Sequence, residues 1–374
     1  MKVLVAPNAF KNSLTAEEAG KAIVEGLQES KLEGDFINIP IADGGDGSLV
    51  ILAKYFNANL RKKNVKDPLG RLISARYAIN ESEKVAVIEL AEASGLKLVD
   101  PDDLNPWIAN TYGTGEIIEE VLEQGCKKII LTVGGSATTD GGLGILRAIG
   151  VKFFNEGDEF SPTGPCDFHK IDRLDAQITR EKLADVEWIV LTDVENRLLG
   201  SEGAVMIYGP QKGIAEDESE LFEQSMSHWE QLLSEYTGVS VKDITKGGAS
   251  GGVPASIGSL FKAKLLNGAD FILEKSGFYD AFEGTDLIIT TEGQIDEQTG
   301  YGKGPGIVAR YGYERNVKVI ALCGQLDDNY NPGESYFTSV FPINSKIYSL
   351  NVALARTRLN LKFTATQVGN LLAM

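Results

Sequence analysis

Residues 127–150, KKIILTVGGSATTDGGLGILRAIG, hold the passage from which the fold is read. The apolar run Ile129-Ile130-Leu131 has the length of a buried strand, and Leu143, Ile145, Leu146 and Ile149 mark a following helix. Between them, residues 134–142 carry four glycines, three hydroxyl side chains and one carboxylate. Glycine lets backbone N–H groups approach a ligand closely, and a helix N-terminus adds partial positive charge, so such a loop suits phosphate. A Gly-rich connector with Thr or Asp as helix cap fits this stretch equally well. A strand leaving through a short polar loop into a helix is half of a βαβ unit, and its recurrence predicts an α/β protein with parallel sheet.

It recurs at both ends of the chain. Lys2–Ala6 reads as a strand, PNAFKNSL as a loop, and a helix follows with capping-box spacing at Thr15 and Glu18 and an apolar stripe Ala19, Ala22, Ile23, Leu27. Phe36–Ile41 reads as a second strand running into ADGGDGS (42–48) and a helix carrying Leu49, Leu52, Ala53 and Phe56. Strands return at 286–290, 317–324 and 339–344, with the loop TEGQIDEQTGYGKGPG and a helix around Ile307–Tyr311 after the first of these. Five strands split between the two ends predict a flavodoxin-like parallel-sheet domain, residues 1–66 and 284–374, interrupted by an inserted α/β domain, residues 67–283. The middle has its own strands (84–91, 127–134, 187–193), a helix from Thr114 to Gln124 and a long amphipathic stretch from Glu216 to Tyr236.

Composition narrows the function. With 53 acidic against 36 basic residues the formal charge is −17, which disfavours a nucleic-acid or anionic-membrane surface. Three scattered cysteines without a CxxC, no long apolar run and no signal-peptide pattern predict a reduced cytoplasmic chain, and whether it is a monomer or homodimer stays open on the sequence. Two histidines without HxxxH spacing argue against zinc; a catalytic metal would be a hard ion held by oxygen, Mg²⁺ above all. No GxxxxGK[ST] and no GxGxxG occur. Gly248-Ala249-Ser250-Gly251-Gly252 fits the GxSxG of hydrolases, yet both histidines precede Ser250 and no apolar strand leads into it, so a second Gly-rich anion loop or a packed helix start reads better.

Five polar loops follow strands: 7–13, 42–48, 134–142, 192–203 and 291–303. They bring Lys11, Ser13, Asp43, Asp46, Ser136, Thr138, Asp140, Asp193, Glu292, Asp296 and Lys303 to the carboxyl ends of strands, where open α/β sheets bind ligands. Glycines, hydroxyls, lysines and carboxylates are what phosphoryl transfer uses. Gly134, Gly135, Ser136, Ala137, Thr138, Asp140 and Gly141 are the expected nucleotide-phosphate loop, Lys11 neutralises transferring charge, and Asp193 is the expected acid nearest an acceptor hydroxyl. Glu292 and Asp296 are candidate Mg²⁺ ligands.

APNAFKNSLTAEEA (6–19), ADGGDGS (42–48), YGTGEII (112–118), GGSATTDGGLGIL (134–146), YGPQKG (208–213) and TEGQIDEQTGYGK (291–303) together resemble the bacterial type I glycerate kinases. The resemblance implies transfer of the γ-phosphoryl group of MgATP to D-glycerate, usually to 2-phosphoglycerate in glycerate catabolism, on a flavodoxin-like domain with a second α/β domain inserted. Position by position it matches Lys11, Ser13, Asp43, Gly134 to Thr138, Asp140, Asp193 and Lys303, with Asn8, Ser13, Asp43 and Lys303 implied at the substrate. The chain departs from the family pattern at Asn8 and Ala9, at Thr291 and at Arg197. A non-catalytic binding or sensor protein, or a kinase for a related hydroxy acid, stays open on the sequence.

Overall fold

The computed structural model describes residues 1–296, 303–331, 333 and 335–374. Residues 297–302, the latter part of the loop expected at 291–303, lie outside the described residues. The chain divides into two compact units: a first of residues 1–43 with 267–374, and a second of residues 44–266.

The first unit is built on an all-parallel five-stranded sheet, ordered Ser339–Pro342, Lys318–Leu326, Leu287–Ile295, Lys2–Pro7, Asp35–Asn38. Numbered within the unit, this is 2-1-3-4-5, the flavodoxin-like order. Its inner strands are apolar on both faces because helices cover both. Val3 and Val5 share a core with Leu287, Ile289, Ala19, Ile23, Leu27, Leu361 and Ala365. Leu4 and Ala6 point the other way, with Ile288 and with Ile307, Val308 and Ala309 of helix Gly304–Glu314. Helix Ala16–Gln28 starts at the expected capping box: Glu18 N–H donates to Thr15 Oγ1 at 3.2 Å and Thr15 N–H to Glu18 Oε2 at 2.9 Å, a cap worth about 1 kcal/mol.

The second unit carries a six-stranded sheet ordered Lys264–Asn267, Glu187–Thr192, Lys128–Thr132, Val85–Glu89, Leu72–Asn80, Asn59–Lys66. Glu187–Thr192, Lys128–Thr132 and Val85–Glu89 run parallel, and the last two strands are antiparallel. A small antiparallel sheet (Asp158–Phe160, Lys152–Asn155, Arg173–Asp175) stands apart from it. The core gathers Ile129, Leu131, Val190, Leu143, Leu146, Phe222, Met226 and Trp229.

Both unit boundaries fall elsewhere than expected. Residues 59–66 pair in register with residues 72–79, Asn59 opposite Ile79 and Lys66 opposite Leu72, which ties them to the second unit. At the other boundary, Ala269, Leu273 and Phe278 pack with Leu4 and Ala6, which ties residues 267–283 to the first. Among the described residues no helix is long and apolar enough to cross a membrane.

Candidate active site

In the first unit the sheet order reverses between Lys2–Pro7 and Leu287–Ile295, and chemistry gathers at their carboxyl ends. Asn8, 7 % exposed, donates from Nδ2 to Glu292 Oε2 at 3.1 Å. Thr291 Oγ1 donates to the Asn8 carbonyl at 2.6 Å, and Thr290 Oγ1 to that of Ala6 at 2.7 Å. Two of the departures from the family pattern, Asn8 and Thr291, are thus bonded to each other. Burial pushes the Glu292 carboxyl up to about 7, the charge of Asp43 adds to the rise, and the Asn8 bond, Lys303 and Lys11 oppose it. Lys303 Nζ stands 3.5 Å from Asp296 Oδ1. Asn8, Lys11, Asp43, Glu292, Asp296 and Lys303 therefore all belong to one unit and one sheet end.

Ser13, expected at the substrate, is held by the fold itself. Its hydroxyl donates to the Leu354 carbonyl at 2.6 Å and fastens the loop to helix Leu350–Leu372, a packing role.

In the second unit the glycine loop leaves strand Lys128–Thr132 as expected, but much of its backbone is bonded within the unit. Gly134 N–H donates to the Gly44 carbonyl, Ala137 N–H to Ser94, and Gly141 N–H to Gly251. The Gly135 carbonyl accepts from Leu96 N–H. Asp140, expected among the phosphate-binding residues, is fully buried and turned inward. Its Oδ2 accepts from Thr111 N–H (2.8 Å), Thr111 Oγ1 (2.8 Å) and Gly144 N–H (3.0 Å), and its Oδ1 from Gly142 N–H at 3.1 Å. Burial raises its pKa while these donors, which favour the ionised form, pull it back. Asp140 thus organises the helix start, and a carboxylate there would repel phosphate in any case. Gly141 sits at φ +57°, and a Cβ on it would stand 2.2 Å from Trp229 Nε1, whose N–H donates to the Gly141 carbonyl at 3.1 Å.

What the loop does offer is one cation and several hydroxyls. Lys212, 2 % exposed, places Nζ 2.9 Å from Ser136 Oγ and 2.7 Å from the Thr138 carbonyl. Burial draws its pKa down to about 7, with the Asp140 charge opposing. Among the described residues, the buried hydroxyls of Thr138 and Thr139 have no hydrogen-bond partner. Asp193 follows strand Glu187–Thr192, beside the strand that feeds the glycine loop. Its charge and, first, burial push the Tyr208 phenol up to about 12, and Tyr208 donates to Asn196 Oδ1 at 2.6 Å.

Lys212 is the residue that sequence reading missed. It was visible within YGPQKG, flanked by a proline turn and Gly213, but burial of a lone lysine leaves no mark in a linear pattern. Among the described residues no three His, Cys, Asp or Glu side chains gather as a metal-binding group. Of the two expected Mg²⁺ ligands, Glu292 accepts from Asn8 and Asp296 faces Lys303.

A doubly covered parallel sheet with carboxylates and lysines at its switch point, and a second sheet whose glycine loop encloses a lysine, are equipment for phosphoryl transfer to a small acid. A family model described as the glycerate kinase family matches residues 3–373. The chain is 37% identical over 332 residues to a glycerate kinase of Bacillus subtilis, covering 88% of this chain and 87% of that one. It is 35% identical to one of Haemophilus influenzae (100% and 99%), and 33% identical to the glycerate 2-kinase of Escherichia coli (94% and 93%). A crystal structure of a candidate glycerate kinase 2 from Salmonella typhimurium LT2 superposes with TM-score 0.84 at 32% identity, covering 100% of this chain and 98% of that chain. The chain belongs to the glycerate kinase family.

Proposed function

We propose that this protein transfers the γ-phosphoryl group of MgATP to D-glycerate in the cytoplasm, forming ADP and 2-phosphoglycerate. The observation that carries the reading is Lys212, buried against Ser136 and the Thr138 carbonyl inside the glycine loop. An isolated buried ammonium is costly, and a phosphate anion is the ligand that offsets the cost. In the second unit Ser136, Thr138 and Lys212 hold nucleotide phosphates, on the loop shaped by Gly134, Gly135, Ala137, Asp140 and Gly141. Asp193 is the acid of this unit that acts in the transfer step.

In the first unit Asn8, Lys11, Asp43 and Lys303 recognise the small acid, the lysines answering its carboxylate and the polar groups its hydroxyls. Glu292 has the pKa of a general base working near neutral pH and accepts the proton of the reacting hydroxyl. Magnesium enters as the counter-ion of the nucleotide and so as part of the substrate. Choice of the 2-hydroxyl is supported by the printed name of the Escherichia coli relative. Phosphorus NMR of the product tests that choice: 2-phosphoglycerate is expected, and 3-phosphoglycerate would overturn it. A non-catalytic sensor has no observation in its favour beyond the altered residues Asn8 and Thr291, which bond each other.

A further inference from the structure

The GxSxG stretch that the fold left without a hydrolase role lies against the glycine loop. Ala249–Gly251 form a short turn leading into helix Val253–Phe261. The Gly251 carbonyl accepts from Gly141 N–H at 2.8 Å. A Cβ on Gly251 would stand 2.3 Å from Thr139 Cα and 2.4 Å from the Thr138 carbonyl oxygen, the same oxygen that accepts from Lys212 Nζ. The preceding residues are tied to the Asp193 loop, Gly248 N–H to the Asn196 carbonyl at 2.9 Å and Lys246 N–H to that of Glu195 at 3.2 Å. One turn therefore joins the backbone around Lys212 to the loop that carries Asp193.

Ser250 stands in the middle of that turn. It is 8 % exposed, and among the described residues its Oγ has no hydrogen-bond partner, like Thr138 Oγ1 and Thr139 Oγ1 in the backbone that Gly251 touches. Buried hydroxyls are ordinarily satisfied, and Ser250, Thr138 and Thr139 each leave one without a partner in the two backbone segments that meet at Gly251. Ser250 is also left-handed, at φ 49° and ψ 37°, a conformation in which glycine would be less strained. Its side chain thus gives the fold no hydrogen bond in return.

We propose that Ser250 is a ligand-contacting residue, its hydroxyl joining those of Thr138 and Thr139 and the Lys212 ammonium around one phosphoryl group of the bound nucleotide. This rests on the reading that the second unit holds nucleotide phosphates. No bond is made or broken in this step; the hydroxyls donate to phosphate oxygens.

The test is calorimetric titration of ADP into the whole protein, with thermal melting of each variant. Ser250→Gly removes the hydroxyl and the strain together, so it is expected to melt no lower than wild type while ADP affinity falls roughly 10- to 100-fold, the range for a hydrogen bond to a charged group. Ser250→Ala, which keeps the strain, is expected to lose the same affinity and answers the question should the glycine variant fail to fold. Lys212→Met serves as the reference. If it weakens ADP binding while both Ser250 variants bind within about twofold of wild type, the role of Ser250 is overturned and the phosphate loop stands. If all three bind ADP like wild type, the phosphate loop itself is overturned, and the role of Ser250 with it.

Discussion

The Lys212 ammonium lies 2.9 Å from Ser136 Oγ and 2.7 Å from the Thr138 carbonyl oxygen, with almost no access to water. Two of its three donor positions are thereby directed at the glycine loop. Replacing it by methionine keeps the volume and removes the buried ammonium, while Asp140 keeps its own donors from Thr111, Gly142 and Gly144. Lys212→Met is expected to melt at or above the wild-type temperature and to bind ADP roughly 10- to 100-fold more weakly. A variant that binds ADP normally contradicts the phosphate-loop assignment.

The same lysine makes nucleotide binding pH-dependent. With a pKa drawn down to about 7, it is mostly neutral at pH 8, and an adjacent phosphate favours its charged form. Binding of ADP at pH 8 is therefore expected to take up protons, approaching about one per site. Titration in two buffers of different ionisation enthalpy reads this directly. Identical enthalpies in wild type, or uptake that survives in Lys212→Met, contradict it.

Glu292 ties stability and activity to pH with opposite signs. Its folded pKa, about 7, lies above the ordinary 4.5, so the folded state holds the proton more tightly. The stability this confers is complete below about pH 4.5 and lost as pH rises through about 7. Glu89, whose carboxyl accepts from Gly47 and Leu49 N–H groups and is also raised to about 7 by burial, adds the same sign. Comparison of wild type with Glu292→Gln isolates the Glu292 share: the variant is expected to lose less stability between pH 5 and 8. Its kcat is expected to fall on the order of 100-fold or more, and the rise of wild-type activity through pH 7 to disappear. A variant with wild-type kcat and pH profile contradicts the base assignment.

Gly141 is held by Trp229 on one side and by its positive φ on the other. Gly141→Ala forces a Cβ to 2.2 Å from Trp229 Nε1, and a loss of roughly 2–4 kcal/mol in urea denaturation is expected. A change below about 1 kcal/mol shows that the loop yields more easily than this packing implies.

Asp193→Asn preserves shape and removes the charge. It is expected to lower kcat at least 100-fold while leaving ADP affinity within a few-fold of wild type. Near-normal turnover refutes a part for Asp193 in the chemical step.

The parallel strands could be read from the sequence because each is an apolar run followed by a polar loop. Val3 to Ala6 and Leu287 to Ile289 are buried on both faces, so their pattern is continuous. The edge hairpin 59–66 and 72–80 was hidden because its outer strand reads NLRKKNVK, mostly exposed and charged, with Val65 alone fully buried. That omission moved the expected domain boundary. In the candidate site, loop composition singled out Asn8, Lys11, Asp43, Glu292 and the GGSATT run. It could not show that Ser13 and Asp140 also brace their loops, Ser13 through the Leu354 carbonyl and Asp140 through Thr111 and Gly144, because those partners lie far away in the sequence or across a turn. Lys212 escaped because the signal is its burial, a property of the folded chain.

The most direct test is steady-state ADP release from the purified protein with MgATP, alone and with D-glycerate, L-glycerate or related hydroxy acids. The account expects release to depend on D-glycerate and to stay near background with the other acids. Release that D-glycerate does not stimulate, in a protein that still binds ATP, would contradict the proposed reaction.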